Sequence, residues 1–155
     1  MKFKTKEDIE APIDYMFAVV SDFDSFQRQA LRRGAEVSRL DDLDVPGVGM
    51  AWDIAFPFRG KRRQMLVDLV DFDSPNKMLF DSRMQGMAGH MLVDLMALSR
   101  TRTRMTLEID LRPETLSARL LVQSIKLARG SMDKRFKLRV AEFGKGVEDR
   151  YSRVG

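Results

Sequence analysis

The chain has 155 residues, 44% hydrophobic and 32% charged, which suits one compact domain over residues 1–155 and excludes a disordered chain. It has no cysteine, so disulfide scaffolds, thiolate metal sites and cysteine nucleophiles are excluded; with no apolar run near the roughly 18 residues of a membrane span, a soluble, unprocessed cytoplasmic protein is expected. The net charge of +4 is uneven: residues 1–58 carry 7 basic and 11 acidic groups, residues 100–139 carry 11 and 4. That asymmetry suits a solvated helix face better than a nucleic-acid groove, and no DNA partner is expected.

Residues 2–10 alternate loosely, with Phe3, Thr5 and Ile9 set between charges, and read as a strand. Pro12 can open a helix whose apolar residues are Met16, Phe17, Val19 and Val20. Ser21 or Asp22 can cap a second short helix holding Phe23, Phe26, Ala30 and Leu31, stopped by Gly34. From Ala35 to Arg112 the helical period gives way to strand-length runs. They are broken at Pro46-Gly47, Arg59-Gly60, Ser74-Pro75-Asn76, Gln85-Gly86 and Ser99-Arg100, which read as hairpin connections.

Two runs alternate clearly. Trp52, Ile54, Phe56 and Phe58 oppose Asp53 and Ala55, and Thr103, Met105, Leu107, Ile109 and Leu111 oppose a charged set, so one sheet face is apolar and the other wet. Around residues 65–72 and 78–83 apolar residues occupy both phases, with Val67, Leu69 and Phe80 assigned inward because Asp68 and Asp81 point outward. After Pro113 apolar residues recur at threes and fours from Leu116 to Val147, which predicts one long amphipathic helix over residues 114–143 with a weak point at Gly130 and a frayed end at Gly144 and Gly146.

This order predicts an α+β helix-grip architecture: a curved seven-stranded antiparallel sheet wrapped around a long C-terminal helix, with two short helices after the first strand. Such a sheet gripping one helix is expected to leave an interior cavity. The chain resembles the SRPBCC superfamily, also called START-like or helix-grip proteins, and within it the polyketide cyclase-like branch. The residues that carry the resemblance are Ala11-Pro12 with Met16-Phe17-Ala18-Val19-Val20-Ser21-Asp22-Phe23, then Gly47-Val48-Gly49-Met50. They continue through Val70-Asp71-Phe72-Asp73-Ser74-Pro75-Asn76-Lys77 and residues 101–107 to Leu111-Arg112-Pro113. The resemblance spans nearly the whole chain and implies a hydrophobic ligand pocket, not a particular reaction.

The candidate lining of that pocket is Trp52, Ile54, Phe56, Met65, Val67, Met78, Phe80, Met105, Leu107, Ile109, Ile125, Met132 and Phe136. Methionines are deformable and suit varied ligands, while Trp52 reads equally as a core anchor or a pocket wall. The sole histidine, His90, is the only weak catalytic candidate, because imidazole titrates near neutrality. Asp94 lies about 13 Å along the same strand and cannot reach it. Serine sites lack a placed base, no metal site is indicated, and no cofactor is called for. Residues 56–63 join aromatic and basic groups at a hairpin tip, which suits an ordinary charged turn, weak contact with an anionic membrane surface, or attraction of an acidic ligand.

The expected function is binding of a small hydrophobic molecule such as a lipid, quinone, polyketide or aromatic metabolite. A cyclase or dehydratase using His90, Trp52 or a buried arginine is one alternative. A quinone or lipid delivery protein, or a ribosome-associated one, is another.

Overall fold

The computed structural model describes residues 1–154. β1 (Lys2–Ile9) is followed by α1 (Ile13–Val20) and α2 (Phe23–Arg32), then by β2 (Glu36–Arg39), β3 (Ala51–Phe58), β4 (Lys61–Asp73), β5 (Lys77–Met84), β6 (Met87–Ser99) and β7 (Arg102–Pro113). α3 (Leu116–Leu127) and α4 (Arg129–Val154) complete the chain. The strands form one antiparallel sheet in the order β1-β7-β6-β5-β4-β3-β2, so the first strand closes onto the last.

Local chemistry sets the element ends. The Asp22 side chain accepts from the Ser25 N–H at 3.2 Å and caps α2, and Gly34 turns the chain beyond its end with a φ of +90°. The β3–β4 hairpin turns on Arg59 and Gly60, both at positive φ, as a two-residue hairpin requires. The loop from β2 to β3 is braced by Asp41, which accepts from Arg39 Nε at 2.9 Å and from the backbone N–H groups of Leu43 and Ala51. The Arg39 hydrogen bond comes first among the causes that hold the Asp41 carboxyl well below the usual carboxylate range.

A bulge between Leu69 and Asp71 explains the double apolar phase of β4. Val67 and Leu69 face inward before it, and Phe72 faces inward after it opposite Met78. Thr103 is fully buried and its hydroxyl donates to the Ala11 carbonyl at 2.8 Å, tying the turn between β1 and α1 to β7.

The C-terminal helix departs from the sequence expectation. It starts at Leu116 and breaks at Ala128, whose N–H donates to the Ile125 carbonyl at 3.0 Å. A straight rod from Leu116 to Val154 would be roughly 58 Å long, whereas the longest strands, at 13 residues, span roughly 43 Å. One rod would overrun the sheet. Instead α3 caps the end near β7, burying Ala118, Val122 and Ile125, and α4 runs along β1, burying Val140 and Val147.

Gly144 does not fray the helix. A Cβ there would lie 3.1 Å from Ile9 Cγ1, so glycine lets α4 approach β1 and continue to Val154.

Candidate functional site

The pleat places the concave, helix-facing side chains in cross-strand rows. One row is Leu69, Phe80, Met91, Ile109 and Phe3; its neighbour is Phe72, Met78, Val93, Leu107 and Thr5. Trp52 pairs with Val67, and Ile54 with Met65. Every β-strand residue of the candidate lining lies on this face.

Packing on that face is uneven. Trp52, Met78, Phe80 and Met105 are buried in the larger apolar cluster beneath α1 and α4, with Leu69, Leu95, Val140 and Val147. A separate small cluster, Met87, Ala118 and Val122, sits beneath α3 with Met84, Leu111 and Leu121 against it. Ile54, Phe56, Met65, Val67, Leu107 and Ile109 remain half-buried, as do Met132 and Phe136 on α4, with Ile54, Val67, Leu107 and Phe136 packed at the margin of the larger cluster; Ile125 on α3 is buried. Apolar side chains on the concave face thus keep accessible area.

Trp52 is 6% exposed and meets Phe23 edge-on at 5.2 Å and Phe80 at 6.2 Å, with Arg39 over its ring. No buried side-chain polar atom among the described residues lacks a partner.

A cleft of about 550 Å³ opens where β4 outruns β5. It is lined by Lys61, Arg62, Arg63, Gln64, Leu66, Arg83, Met84, Gln85 and Leu121. The last β4–β5 pair is Met65 with Met84, so residues 61–64 pair with β3 alone and leave the opposite edge of β4 open. None of the candidate lining residues borders this cleft. In the sequence only the cationic run of the hairpin is visible; Arg83, Met84, Gln85 and Leu121 come from other elements or turns, and no local signal links them. A smaller cleft of about 230 Å³ lies among α1, α2 and α4, beside Phe26, Phe143 and Arg150.

The hairpin tip is fixed to α3: an Arg59 guanidinium nitrogen donates to the Ser124 hydroxyl. Arg59 and Arg63 each lie 5.7 Å from the Phe58 ring centre, on which they stack. Arg129 is exposed rather than buried, donating to the Lys2 carbonyl at 2.9 Å and lying over Phe3.

His90 has a partner that strand spacing concealed. Asp81, opposite it on β5, brings Oδ1 to 2.6 Å from His90 Nδ1. Its neighbour Gly89 faces the interior, where a Cβ would strike the Ser82 hydroxyl, so His90 points to the convex side. Both members of the pair are more than two-fifths exposed. The dyad is therefore on the opposite side of the sheet from the concave apolar face. Among the described residues no group of three or more histidine, aspartate or glutamate side chains is placed to hold a metal.

No family model matches the chain, and no curated protein matches it. Solved structures do. A protein from Thermus thermophilus superposes with a TM-score of 0.65 at 16% identity, over 100% of this chain and 99% of the other. The Zhui aromatase/cyclase from Streptomyces sp. R1128 gives 0.67 at 14%, over 97% and 95%. A START superfamily protein from Mycobacterium smegmatis gives 0.57 at 8%, over 90% and 99%. At these identities the likeness establishes architecture and leaves chemistry to the site. With its seven-stranded antiparallel sheet, paired short helices and C-terminal helices, the chain has the helix-grip fold, an architecture it shares with these structures.

Proposed function

We propose that the protein binds a small hydrophobic molecule, of the lipid, quinone, polyketide or aromatic-metabolite class, on the concave face between the sheet and the C-terminal helices. One observation carries this reading: Ile54, Phe56, Met65, Val67, Leu107 and Ile109 stay half-buried on the sheet face that the helices cover, and Met132 and Phe136 stay half-buried on α4. Covering about 200 Å² of such surface contributes about 5 kcal/mol before association entropy is subtracted. Binding of this kind needs no acid or base, and His90 and Asp81 lie on the far side of the sheet.

The test uses Trp52, the single tryptophan, as the reporter. Titration with dodecan-1-ol is expected to change its fluorescence saturably. Ile109→Phe, which adds bulk to the half-buried middle of the face, is expected to weaken that binding about tenfold while the protein stays folded. Equal affinity in wild type and Ile109→Phe would contradict the reading.

The same protein offers a surface suited to an anionic bilayer. Leu116, Leu120 and Leu127 fall on one stripe of α3, at 73%, 62% and 92% exposure, opposite the buried Ala118, Val122 and Ile125. α3 carries Arg119 and Lys126 and no acidic residue, and the hairpin tied to it adds Arg59, Lys61 and Arg62. Leucines rimmed by cations are the composition that settles into an anionic interface. Co-sedimentation with phosphatidylcholine vesicles containing phosphatidylglycerol is expected, weakening as salt rises and falling about tenfold in Leu120→Gln/Leu127→Gln. Equal sedimentation with pure phosphatidylcholine, or a full signal from the double variant, would refute bilayer contact.

A further inference from the structure

The cleft beside the β4 overhang combines cationic and apolar side chains in one opening. Its lining has four cationic side chains, Lys61, Arg62, Arg63 and Arg83, and no acidic one. Arg62 is paired with Glu36 at 3.3 Å. Among the described residues no carboxylate comes within 4 Å of the charged nitrogens of Lys61, Arg63 or Arg83. Arg63 is positioned by its own hairpin instead: Nε donates to the Phe58 carbonyl at 3.2 Å and the guanidinium lies over the Phe58 ring. Like charges gathered around one opening repel each other, and an anion entering it would relieve that repulsion.

The remainder of the lining is apolar or amide: Leu66, Met84, Leu121, Gln64 and Gln85. Met84 connects the cleft to the concave face, since it pairs across β4–β5 with the half-buried Met65. Leu121 and Met84 also pack against the small cluster of Met87, Ala118 and Val122. On the concave side Lys61 and Arg63 therefore stand beside this apolar surface, while Arg83, opposite Leu66 and in the phase of Asp81, reaches the same opening from the other side of the sheet. The β4 edge along residues 61–64, which has no β5 partner, adds unpaired peptide groups to the same wall.

We propose that this cleft seats the anionic head of an amphiphile, a carboxylate or a phosphate, whose apolar tail lies on the concave face. The inference rests on the hydrophobic-ligand reading above and adds the head-group chemistry and the polarity of the bound molecule. Guanidinium groups suit the task because they meet carboxylate and phosphate oxygens with two parallel N–H donors. Lys61 supplies a mobile point charge at the rim.

Three compounds sharing one tail separate the two claims: dodecan-1-ol, dodecanoate and dodecyl phosphate, each titrated below its micelle concentration, with inorganic phosphate as the tail-free arm. At least one anionic compound is expected to bind about tenfold more tightly than the alcohol, the better one naming the head group, and inorganic phosphate far more weakly than either. Arg63→Gln/Arg83→Gln is expected to collapse the anion-to-alcohol affinity ratio towards one. Equal affinity for alcohol and both anions, a ratio that survives in the double variant, or inorganic phosphate binding as tightly as dodecyl phosphate would each overturn the head-group seat while the hydrophobic-ligand reading stood. Failure of every twelve-carbon compound to bind would overturn both.

Discussion

Trp52→Ala is expected to lower the unfolding free energy by about 4 kcal/mol, the range found when a large aromatic is deleted from a packed interior. The indole is 6% exposed and forms the meeting point of three elements: Phe23 from α2, Phe80 from β5 and Arg39 from β2 all contact its ring. Removing it leaves a void bounded by Phe23 and Phe80, and Phe23 and Phe80 also meet each other edge-on at 6.1 Å, so neither is free to swing far into the gap. A loss of this size is a large part of the 5–15 kcal/mol typical of a domain. Urea denaturation followed by far-ultraviolet circular dichroism measures it. A loss below about 1 kcal/mol would mean that the tryptophan is a movable pocket wall and not part of the supporting core.

Gly86→Val is expected to cost about 3 kcal/mol, from two causes that act together. Gly86 has a φ of +71°, where a β-branched residue is strained. A Cβ at that position would also lie 2.8 Å from Thr115 Cγ2 and closer still to the Thr115 hydroxyl. That hydroxyl accepts from the Ala118 N–H at 3.2 Å and caps α3, so the intruding side chain would uncap the helix as it strains the turn. Thr115→Ala alone isolates the cap and is expected to cost about 1 kcal/mol. Equilibrium denaturation of both variants makes the comparison. If Gly86→Val matched Thr115→Ala, the turn would have relaxed and the strain argument would fail.

The sequence told more about the sheet than about what the sheet holds. Period-two runs such as Trp52 to Phe58 and Thr103 to Leu111 depend only on the pleat, and the structure places both sets inward. Asp22 as a cap and Gly34 as a stop are equally local. The helix break was only partly legible: Gly130 marked a weak point two residues from it, but the stripe from Leu116 to Val147 continues in phase through Ala128 and so reads as one rod. Gly144 misled for a similar reason, because a glycine that admits Ile9 looks in sequence like one that ends a helix. The partner of His90 was hidden because strand register, not sequence spacing, brings Asp81 opposite it. The basic cleft was the least accessible feature. Lys61 to Arg63 are contiguous, but Arg83 and Leu121 reach them only after the β4 overhang and α3 are in place.

The most direct measurement is a methyl NMR titration of isoleucine- and methionine-labelled protein with dodecan-1-ol. Ile54, Met65 and Ile109 on the half-buried concave face and Met132 on α4 are expected to shift together and saturably, while Met96, 47% exposed on the convex side, stays in place. Shifts confined to Met96 and other outward methyls, or no saturable shift at those four, would contradict the account.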